Sequence, residues 1–222
     1  MEKSTFDLEN ALAVDGYVFA IGIDEAGRGP LAGPVVAGAA CLKNYQLPTT
    51  NHELFALVRD SKTLNEKQRE KMFDFIHENF YVGVGICNHE TIDRVNILEA
   101  SFLAMKAALN DLKTKVRYQD QKHIILVDGN KKIPNLSLDQ KAIVSGDKFV
   151  KSISAASIIA KVTRDRIMHA AHEKYPQYAF DKHKGYGTKV HMDALQKDGP
   201  CEIHRKTFEP VKNMLKEAIK IK

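Results

Sequence analysis

Residues 21–33 read Ile-Gly-Ile-Asp-Glu-Ala-Gly-Arg-Gly-Pro-Leu-Ala-Gly, an apolar run that ends in two adjacent acids and a glycine-rich turn. A short apolar run that stops at a turn is typical of a buried β-strand. Burying a carboxylate costs free energy unless it is paired or binds a metal. Asp24 and Glu25 are therefore candidate metal ligands, and the glycines after them let backbone come close to a bound molecule.

Two further acids, Asp128 and Asp147, stand where apolar segments 123–127 and 142–144 stop. In open α/β sheets, binding sites form at the ends of strands. Four acids that converge there would repel one another, and divalent cations would relieve that repulsion. Carboxylate-only ligands favour hard ions such as Mg²⁺ or Mn²⁺, and a pair of such ions is a common device for attack on a phosphodiester.

Each of these later acids also has a simpler interpretation. Asp128 precedes a glycine, which is a common turn pair, and Asp147 could equally be a turn residue. Asp165 lies between Arg164 and Arg166. It is expected to be an ion-pair partner, and it is the reserve candidate for a fourth ligand.

Hydrophobic periodicity predicts an α/β domain, a mixed β-sheet with helices on its faces. Strands are predicted at residues 17–23, 35–42, 81–87, 123–127 and 142–144, and helices at 92–112, 152–174, 188–197 and from 210 onward. The short turn between the first two strands predicts an antiparallel hairpin. Asn65 followed by Gln68 predicts a capped helix start. Residues 1–176 are interpreted as the main domain and 177–222 as a small helical appendage packed on it.

Composition excludes several other classes. The 222 residues are 44% hydrophobic with a net charge of +5, and no apolar run approaches membrane-spanning length. The three cysteines are widely spaced, which suits a reducing, cytoplasmic compartment. Dinucleotide-binding, Walker and nucleophile-elbow motifs are absent from the sequence.

The ordered motifs of the chain resemble those of bacterial ribonuclease HII, a type 2 ribonuclease H family. They are Ile-Asp-Glu-Ala-Gly-Arg-Gly-Pro-Leu-Ala-Gly-Pro at 23–34, Asp-Ser-Lys at 60–62, Val-Asp-Gly at 127–129, Gly-Asp at 146–147, Ser-Ala-Ala-Ser-Ile-Ile-Ala-Lys-Val at 154–162, His-Lys-Gly-Tyr-Gly-Thr at 183–188, His-Arg at 204–205 and Phe-Glu-Pro-Val at 208–211. The resemblance covers residues 17–211, and the ordered set is far more specific than any single motif.

This resemblance implies a ribonuclease H-like fold and a metal-dependent endoribonuclease. The enzyme would hydrolyse the RNA strand of RNA–DNA hybrids and incise 5′ of ribonucleotides embedded in duplex DNA, leaving 5′-phosphate and 3′-hydroxyl ends. Asp24, Glu25, Asp128 and Asp147 would be both catalytic residues and ligands of two Mn²⁺ or Mg²⁺ ions.

The resemblance also implies a substrate-binding set: Gly27, Arg28, Gly29, Ser61, Lys62, Lys184, Tyr186 and Arg205. The glycine turn would test for a 2′-hydroxyl, the group that separates RNA from DNA. Tyr186 would stack on the sugar at the junction, although a buried anchor is an equal alternative from the residue alone. Lysines 62 and 184 and Arg205 would contact phosphates, and as lone basic residues they could simply be solvated.

Other functions remain open from the sequence. A ribonuclease HIII-like nuclease would carry an added N-terminal domain and a glutamate as its fourth acid. A non-catalytic hybrid binder would need basic surface without converging acids, and a metal-dependent DNA nuclease could use the same fold. The expected protein is a cytoplasmic monomer whose partners are nucleic acids rather than membranes.

Overall fold

A computed structural model describes residues 4–43, 52–59, 61–116 and 121–220. Five strands and ten α-helices are assigned within these residues. In chain order they are α1 Asp7–Val14, β1 Phe19–Ala26, β2 Val35–Leu42, α2 His52–Leu57, α3 Glu66–Asn79, β3 Phe80–Cys87, α4 His89–Val95, α5 Ile97–Lys115, β4 His123–Asp128, β5 Asp139–Ile143, α6 Gly146–Phe149, α7 Lys151–Lys174, α8 Phe180–His183, α9 Lys189–Asp198 and α10 Val211–Lys220. Short 3₁₀ turns lie at Ser61–Thr63 and Pro176–Tyr178.

The strands form one mixed sheet in the order β3-β2-β1-β4-β5. The three strands β3, β2 and β1 pair antiparallel, which confirms the predicted hairpin. Parallel pairing joins β1 to β4 and β4 to β5. The carboxyl ends of β1, β4 and β5 therefore lie at the same end of the sheet.

Helices cover both faces of this sheet. On one face α5 packs against Ile21, Ile23 and Val127 in the largest apolar cluster. On the other face α7 crosses so closely that a Cβ built on Gly22 would lie 2.1 Å from the Ser152 carbonyl carbon. Side chains alternate between the two faces along a strand. Asp24 and Asp128, two positions after Gly22 and Leu126, therefore lie on the face that α7 covers.

The residues after Pro176 pack on the sheet domain through a separate apolar cluster. It joins Leu31 and Met168 of the sheet domain to Tyr178, Phe180 and other residues of the later segment. Backbone hydrogen bonds strengthen this contact, since Arg205 N–H donates to the Leu31 carbonyl and Gly33 N–H donates to the Ile203 carbonyl. The C-terminal segment is thus attached directly to the turn that follows β1.

The sequence predicted most elements well. The strand 35–42 has the predicted bounds, and the other four strands lie within a few residues of their predictions. The capping box at Asn65 is present, because its side chain accepts from Gln68 N–H and the Gln68 side chain accepts from Asn65 N–H. This reciprocal pairing supplies partners for backbone donors that a helix start otherwise leaves free.

Two local predictions were wrong. The single helix predicted over residues 92–112 is two helices, because Asn96 has φ 71° and caps α5 through its side chain. Asparagine tolerates this left-handed region better than most residues, and apolar periodicity alone does not show such a break. Asp147 was predicted directly at a strand end, but it lies in the short helix α6, four residues after β5 ends.

In the Asp-Ser-Lys motif, Asp60 and the side chain of Lys62 lie outside the described part of the structure. No helix among the described residues combines the length and apolar character needed to cross a membrane.

Candidate active site

Parallel pairing places two of the predicted acids side by side. Ile23 on β1 is the register partner of Val127 on β4, so Asp24 and Asp128 occupy the next position on neighbouring strands. Both side chains belong to the face covered by α7. This pairing answers what the sequence could not, namely whether the two strands are neighbours.

The carboxylates of Asp24, Glu25 and Asp128 lie close together at this end of the sheet. Asp24 is 7% exposed, and burial raises the pKa of its carboxyl well above the usual range. The charges of Glu25 and Asp128 raise that pKa further, against hydrogen bonds from Ser157 and from Glu25 N–H. Burial also raises the pKa of Glu25, and Arg28 opposes this through an ion pair of 3.2 Å. Like charges are therefore held together without full compensation by the protein.

Asp147 joins the same group from the α7 side. It is 3% exposed, and its backbone N–H donates to Asp128 Oδ1 over 3.3 Å. The Ser154 hydroxyl donates to the Asp147 carbonyl, which fixes α6 against the first turns of α7. The structure thus brings the Asp147 backbone to Asp128, at the same end of the sheet as Asp24 and Glu25.

The donor chemistry of this group fits a hard divalent ion. Every candidate ligand is a carboxylate oxygen, and the raised pKa values at Asp24 and Glu25 show negative charge that a cation would compensate. Among the described residues, no three His, Cys, Asp or Glu side chains already surround one point as metal ligands do. Binding would therefore require these side chains to reorient toward a common point.

The glycine turn after β1 forms one wall of the site. Gly27 has φ +99°, and a Cβ there would lie 2.1 Å from Arg164 Nε. Glycine is required both for that backbone conformation and for the close approach of the arginine.

Two buried arginines donate hydrogen bonds to the backbone of this turn from inside the protein. Arg164 donates to the carbonyls of Pro34, Lys184 and Ala32. Arg205 donates to the carbonyls of four residues of the turn: Gly27, Arg28, Gly33 and Pro34. Burial lowers the pKa of the Arg164 guanidinium to about 10 and that of Arg205 to about 9.

A cavity of about 340 Å³ unites the acids with the glycine turn. It is lined by Asp24, Glu25, Ala26, Gly27, Arg28, Gly29, Ser61, Asp128, Ser157, Lys161, Arg164 and Tyr186. Tyr186 is 46% exposed, and a Cβ built on Gly29 would lie 3.5 Å from its ring. The structure therefore places Tyr186 at the cavity rather than in a buried anchor position.

Besides Ala26 on β1, three polar residues that line this cavity were not predicted from the sequence, all on α7: Ser157, Lys161 and Arg164. The run of small residues around Ser157 indicated only close helix packing. The Ser157 hydroxyl lies 3.0 Å from the Ser61 hydroxyl, so Ser61 of the Asp-Ser-Lys motif lies at the site. The spacing of these three residues, one or two helical turns apart, was the available signal that they share a face.

Two expected phosphate contacts are corrected by the structure. Arg205 has 0% exposure and all its described hydrogen bonds go to backbone carbonyls, so it supports the glycine turn instead of facing solvent. Lys184 is 8% exposed, and its ammonium donates to the Asp181 carbonyl. A charge count cannot distinguish a solvated arginine from one surrounded by carbonyls.

Asp165, the reserve fourth ligand, is engaged elsewhere. Its carboxylate lies 2.5 Å from Lys161 Nζ and 3.7 Å from Arg69. The interpretation of Asp165 as an ion-pair partner is confirmed, although its cations are not the adjacent arginines in the sequence.

A family model described as Ribonuclease HII matches residues 21–211. The chain belongs to the ribonuclease HII family. A ribonuclease HII from Fusobacterium nucleatum is 53% identical over 86% of this chain and 86% of its own, and one from Caldicellulosiruptor bescii is 47% identical over 96% and 97%. The solved ribonuclease H2 of Pyrococcus horikoshii OT3 is 28% identical with a TM-score of 0.70, covering 91% of this chain and 100% of that one.

These matches confirm the resemblance, the ribonuclease H-like fold and the assignment as an enzyme of the ribonuclease class. They select the HII alternative over the HIII-like one. A purely non-catalytic binder is not supported, because the proteins matched over nearly the whole chain carry the name of a ribonuclease.

Proposed function

We propose that this enzyme hydrolyses the RNA strand of RNA–DNA hybrids and incises 5′ of ribonucleotides embedded in duplex DNA. The observation that carries the proposal is the single cavity in which acids from two strand ends face a glycine turn and Tyr186. The acids provide the place for phosphodiester chemistry, and the turn and the tyrosine provide a place for one ribose.

Asp24, Glu25, Asp128 and Asp147 are proposed to be the catalytic residues and to hold Mn²⁺ or Mg²⁺, in a set sized for two ions. When bound, such ions stabilise the developing charge on phosphate oxygens and lower the pKa of water. The protein's part is to hold these acids adjacent in a partly buried site, where burial raises the pKa values of Asp24 and Glu25 and a bound cation would favour their ionised forms. Ser157 contributes by its hydrogen bond to Asp24, which opposes the rise in that carboxyl's pKa.

Ribose selection is assigned to the turn at Gly27, Arg28 and Gly29. Arg205 bonds the Gly27 and Arg28 carbonyls from inside the protein. In a trans peptide the N–H points opposite to the carbonyl, so the N–H groups of Arg28 and Gly29 are turned away from that guanidinium. Backbone groups fixed in this way are suited to hydrogen bonds with a 2′-hydroxyl.

Tyr186 is proposed to stack on the sugar beside the scissile bond, across from Gly29. Contacts to phosphates are proposed for Lys62, and for Ser61 and Lys161, which line the cavity. Phosphate contacts position a nucleic acid without reading its sequence. The division into a catalytic domain of residues 1–176 and an extension of residues 177–222 stays a prediction.

We further propose a cytoplasmic, monomeric enzyme. The three cysteines are free thiols, two of them buried, as is usual in a reducing compartment.

The test is cleavage of three matched duplexes: one with a single ribonucleotide, one RNA–DNA hybrid and one of DNA alone. We expect cleavage of the first two, loss of cleavage in a chelator, and recovery with Mn²⁺ or Mg²⁺. Binding without cleavage under every metal condition would indicate a hybrid binder. Cleavage of the DNA duplex at a comparable rate would indicate a DNA nuclease.

A further inference from the structure

Histidines of the C-terminal segment form a chain of buried hydrogen bonds behind Tyr186. His191 is 0% exposed and His204 is 1% exposed. Their Nε2 atoms lie 2.9 Å apart, a hydrogen-bond distance. His191 Nδ1 lies 2.9 Å from the Tyr186 carbonyl, and His204 Nδ1 lies 2.9 Å from Cys201 N. The chain thus runs from Cys201 to the residue proposed to stack on the substrate sugar.

The Tyr186 carbonyl fixes the direction of the bonds between two neutral rings. His204 Nδ1 can accept from Cys201 N–H, but it also lies 3.1 Å from Cys201 Sγ and 3.3 Å from the Cys201 carbonyl, so the contacts at the Cys201 end allow either neutral tautomer of His204. The Tyr186 carbonyl can only accept, so His191 carries its proton on Nδ1 and its Nε2 accepts from His204. One arrangement of two neutral rings therefore satisfies the three contacts, and a proton added to His191 Nε2 would set it against the Nε2–H of His204.

The surroundings of the two rings favour this neutral state. Burial lowers the pKa of His204 to about 4, with a further contribution from His191, and burial also lowers the pKa of His191. The rings pack against aromatic neighbours: Tyr178 lies 5.0 Å from His204, Phe180 lies 5.4 Å from His191, and the His183 ring stacks on His191 at 4.7 Å.

The chain of hydrogen bonds ends at Tyr186, which lines the cavity. The Tyr186 carbonyl also accepts from Thr188 N–H, and the adjacent Gly185 carbonyl accepts from Leu31 N–H at the end of the glycine turn. Gly185 N–H donates to His183 Nδ1. The backbone on both sides of Tyr186 is therefore held by histidines and by the turn that the tyrosine faces.

We propose that His191 and His204 are positioning residues that set Tyr186 for stacking on the sugar next to the scissile bond. They act only through the Tyr186 backbone, since neither ring lines the cavity. The assignment rests on the proposed function, because it gives Tyr186 its role there. Neither histidine belongs to the predicted catalytic or substrate-binding set.

Two substitutions of His191 separate its two hydrogen bonds. His191→Asn keeps a side-chain donor near the Nδ1 position and so keeps the bond to Tyr186. His191→Gln keeps an acceptor near the Nε2 position and so keeps the bond to His204. Each variant loses one buried bond, which makes them matched controls for stability.

The experiment measures kcat and KM for the single-ribonucleotide duplex, with the Tm of each variant. We expect His191→Gln to lose about tenfold in kcat, because a small displacement of a positioning group slows a reaction strongly, and His191→Asn to stay within about threefold. In a Tyr186→Ala background, His191→Gln should add no further loss. Equal kcat losses in the two variants, or full additivity with Tyr186→Ala, would overturn the proposal.

A spectroscopic measurement on the unaltered protein guards against variants that fail to fold. Nitrogen-15 NMR at neutral pH should show His204 protonated on Nε2 and His191 protonated on Nδ1, with scalar coupling between their two Nε2 nuclei. A charged ring or the opposite tautomers would overturn the proposed chain of hydrogen bonds. If the unaltered enzyme cleaves none of the three duplexes, the proposed function fails instead, whatever the NMR result.

Discussion

Two groups of buried charge lie on either side of the cavity, and they are compensated very differently. At the strand ends, Asp24, Glu25 and Asp128 repel one another, and burial and mutual charge raise the pKa of Asp24. Behind the glycine turn, Arg164 and Arg205 are equally buried, but each donates at least three hydrogen bonds to carbonyls. The negative charge of the first group is compensated only in part, and the hydrogen-bond donors of the second group have carbonyl partners.

This difference distinguishes acids proposed to serve catalysis from arginines that stabilise the fold. Buried acids whose charge is only partly compensated destabilise a fold, so their presence points to a role that requires them, here the proposed binding of divalent ions. Saturated arginines stabilise a turn that would otherwise bury carbonyls without partners. Substitution should therefore remove activity without loss of stability on one side, and remove both on the other.

The largest effect is expected for Asp24→Asn or Asp128→Asn. Each change removes a metal-binding oxygen and should lower cleavage of the single-ribonucleotide duplex by about 10³-fold or more. Because it also removes a repelling charge, the Tm of the metal-free protein should stay level or rise. Cleavage assays and thermal unfolding in a chelator measure the two effects.

Asp165→Asn is the matched control for this prediction. It leaves Lys161 and Arg69 without their shared partner, so stability should fall while most cleavage is retained. Asp147→Asn should resemble Asp24→Asn. If Asp165→Asn abolishes cleavage and Asp147→Asn does not, the fourth acid has been misassigned.

On the arginine side, Arg205→Met should destabilise the protein by about 2–4 kcal/mol, since it leaves several buried carbonyls without donors. Arg205→Lys should recover only part of this, because an ammonium cannot match the fork of a guanidinium. Urea unfolding gives the free energies. Arg166→Met, which breaks an ion pair whose partners are 51% and 41% exposed, is the control and should change little. A similar loss in both Met variants would contradict the distinction.

Gly27→Ala tests the contact between the turn and the arginines. The new Cβ meets Arg164 and the Pro34 carbonyl at a φ of +99°, so a loss of about 2 kcal/mol or more is expected, together with reduced cleavage. Gly16→Ala has a similar φ of +85° with nothing within 4 Å, and should lose only about 1 kcal/mol. Equal losses in urea unfolding would show that φ alone matters.

The smallest expected effect is a pH dependence of the metal-free protein. The folded-state pKa of Asp24 and that of Glu25 are raised, so the folded state binds more protons than the unfolded state above the ordinary carboxyl pKa. Stability should fall as pH rises from that value through the folded-state pKa values. Asp24→Asn should flatten this slope in unfolding measurements between acid and neutral pH. An unchanged slope would show that the acids are not crowded in solution.

Much of this arrangement could be predicted from the sequence because it depends on local patterns. The places of Asp24 and Asp128 near the carboxyl ends of β1 and β4 follow from apolar runs that stop at acids, although β1 continues past Asp24 to Ala26. The Asn65 cap follows from side chains three residues apart. The break at Asn96 and the interior place of Arg205 could not be predicted. Both depend on what surrounds the residue in three dimensions: a left-handed backbone conformation in one case, and carbonyls more than 170 residues away in the other.

The most direct test of the account is the position of the cut in a duplex that contains one ribonucleotide, read from both fragments. With Mn²⁺ or Mg²⁺ we predict a single cut on the 5′ side of the ribonucleotide, leaving a 3′-hydroxyl on one fragment and a 5′-phosphate on the other. A cut on the 3′ side, a cyclic phosphate end, or cuts spread over the deoxynucleotides would contradict it.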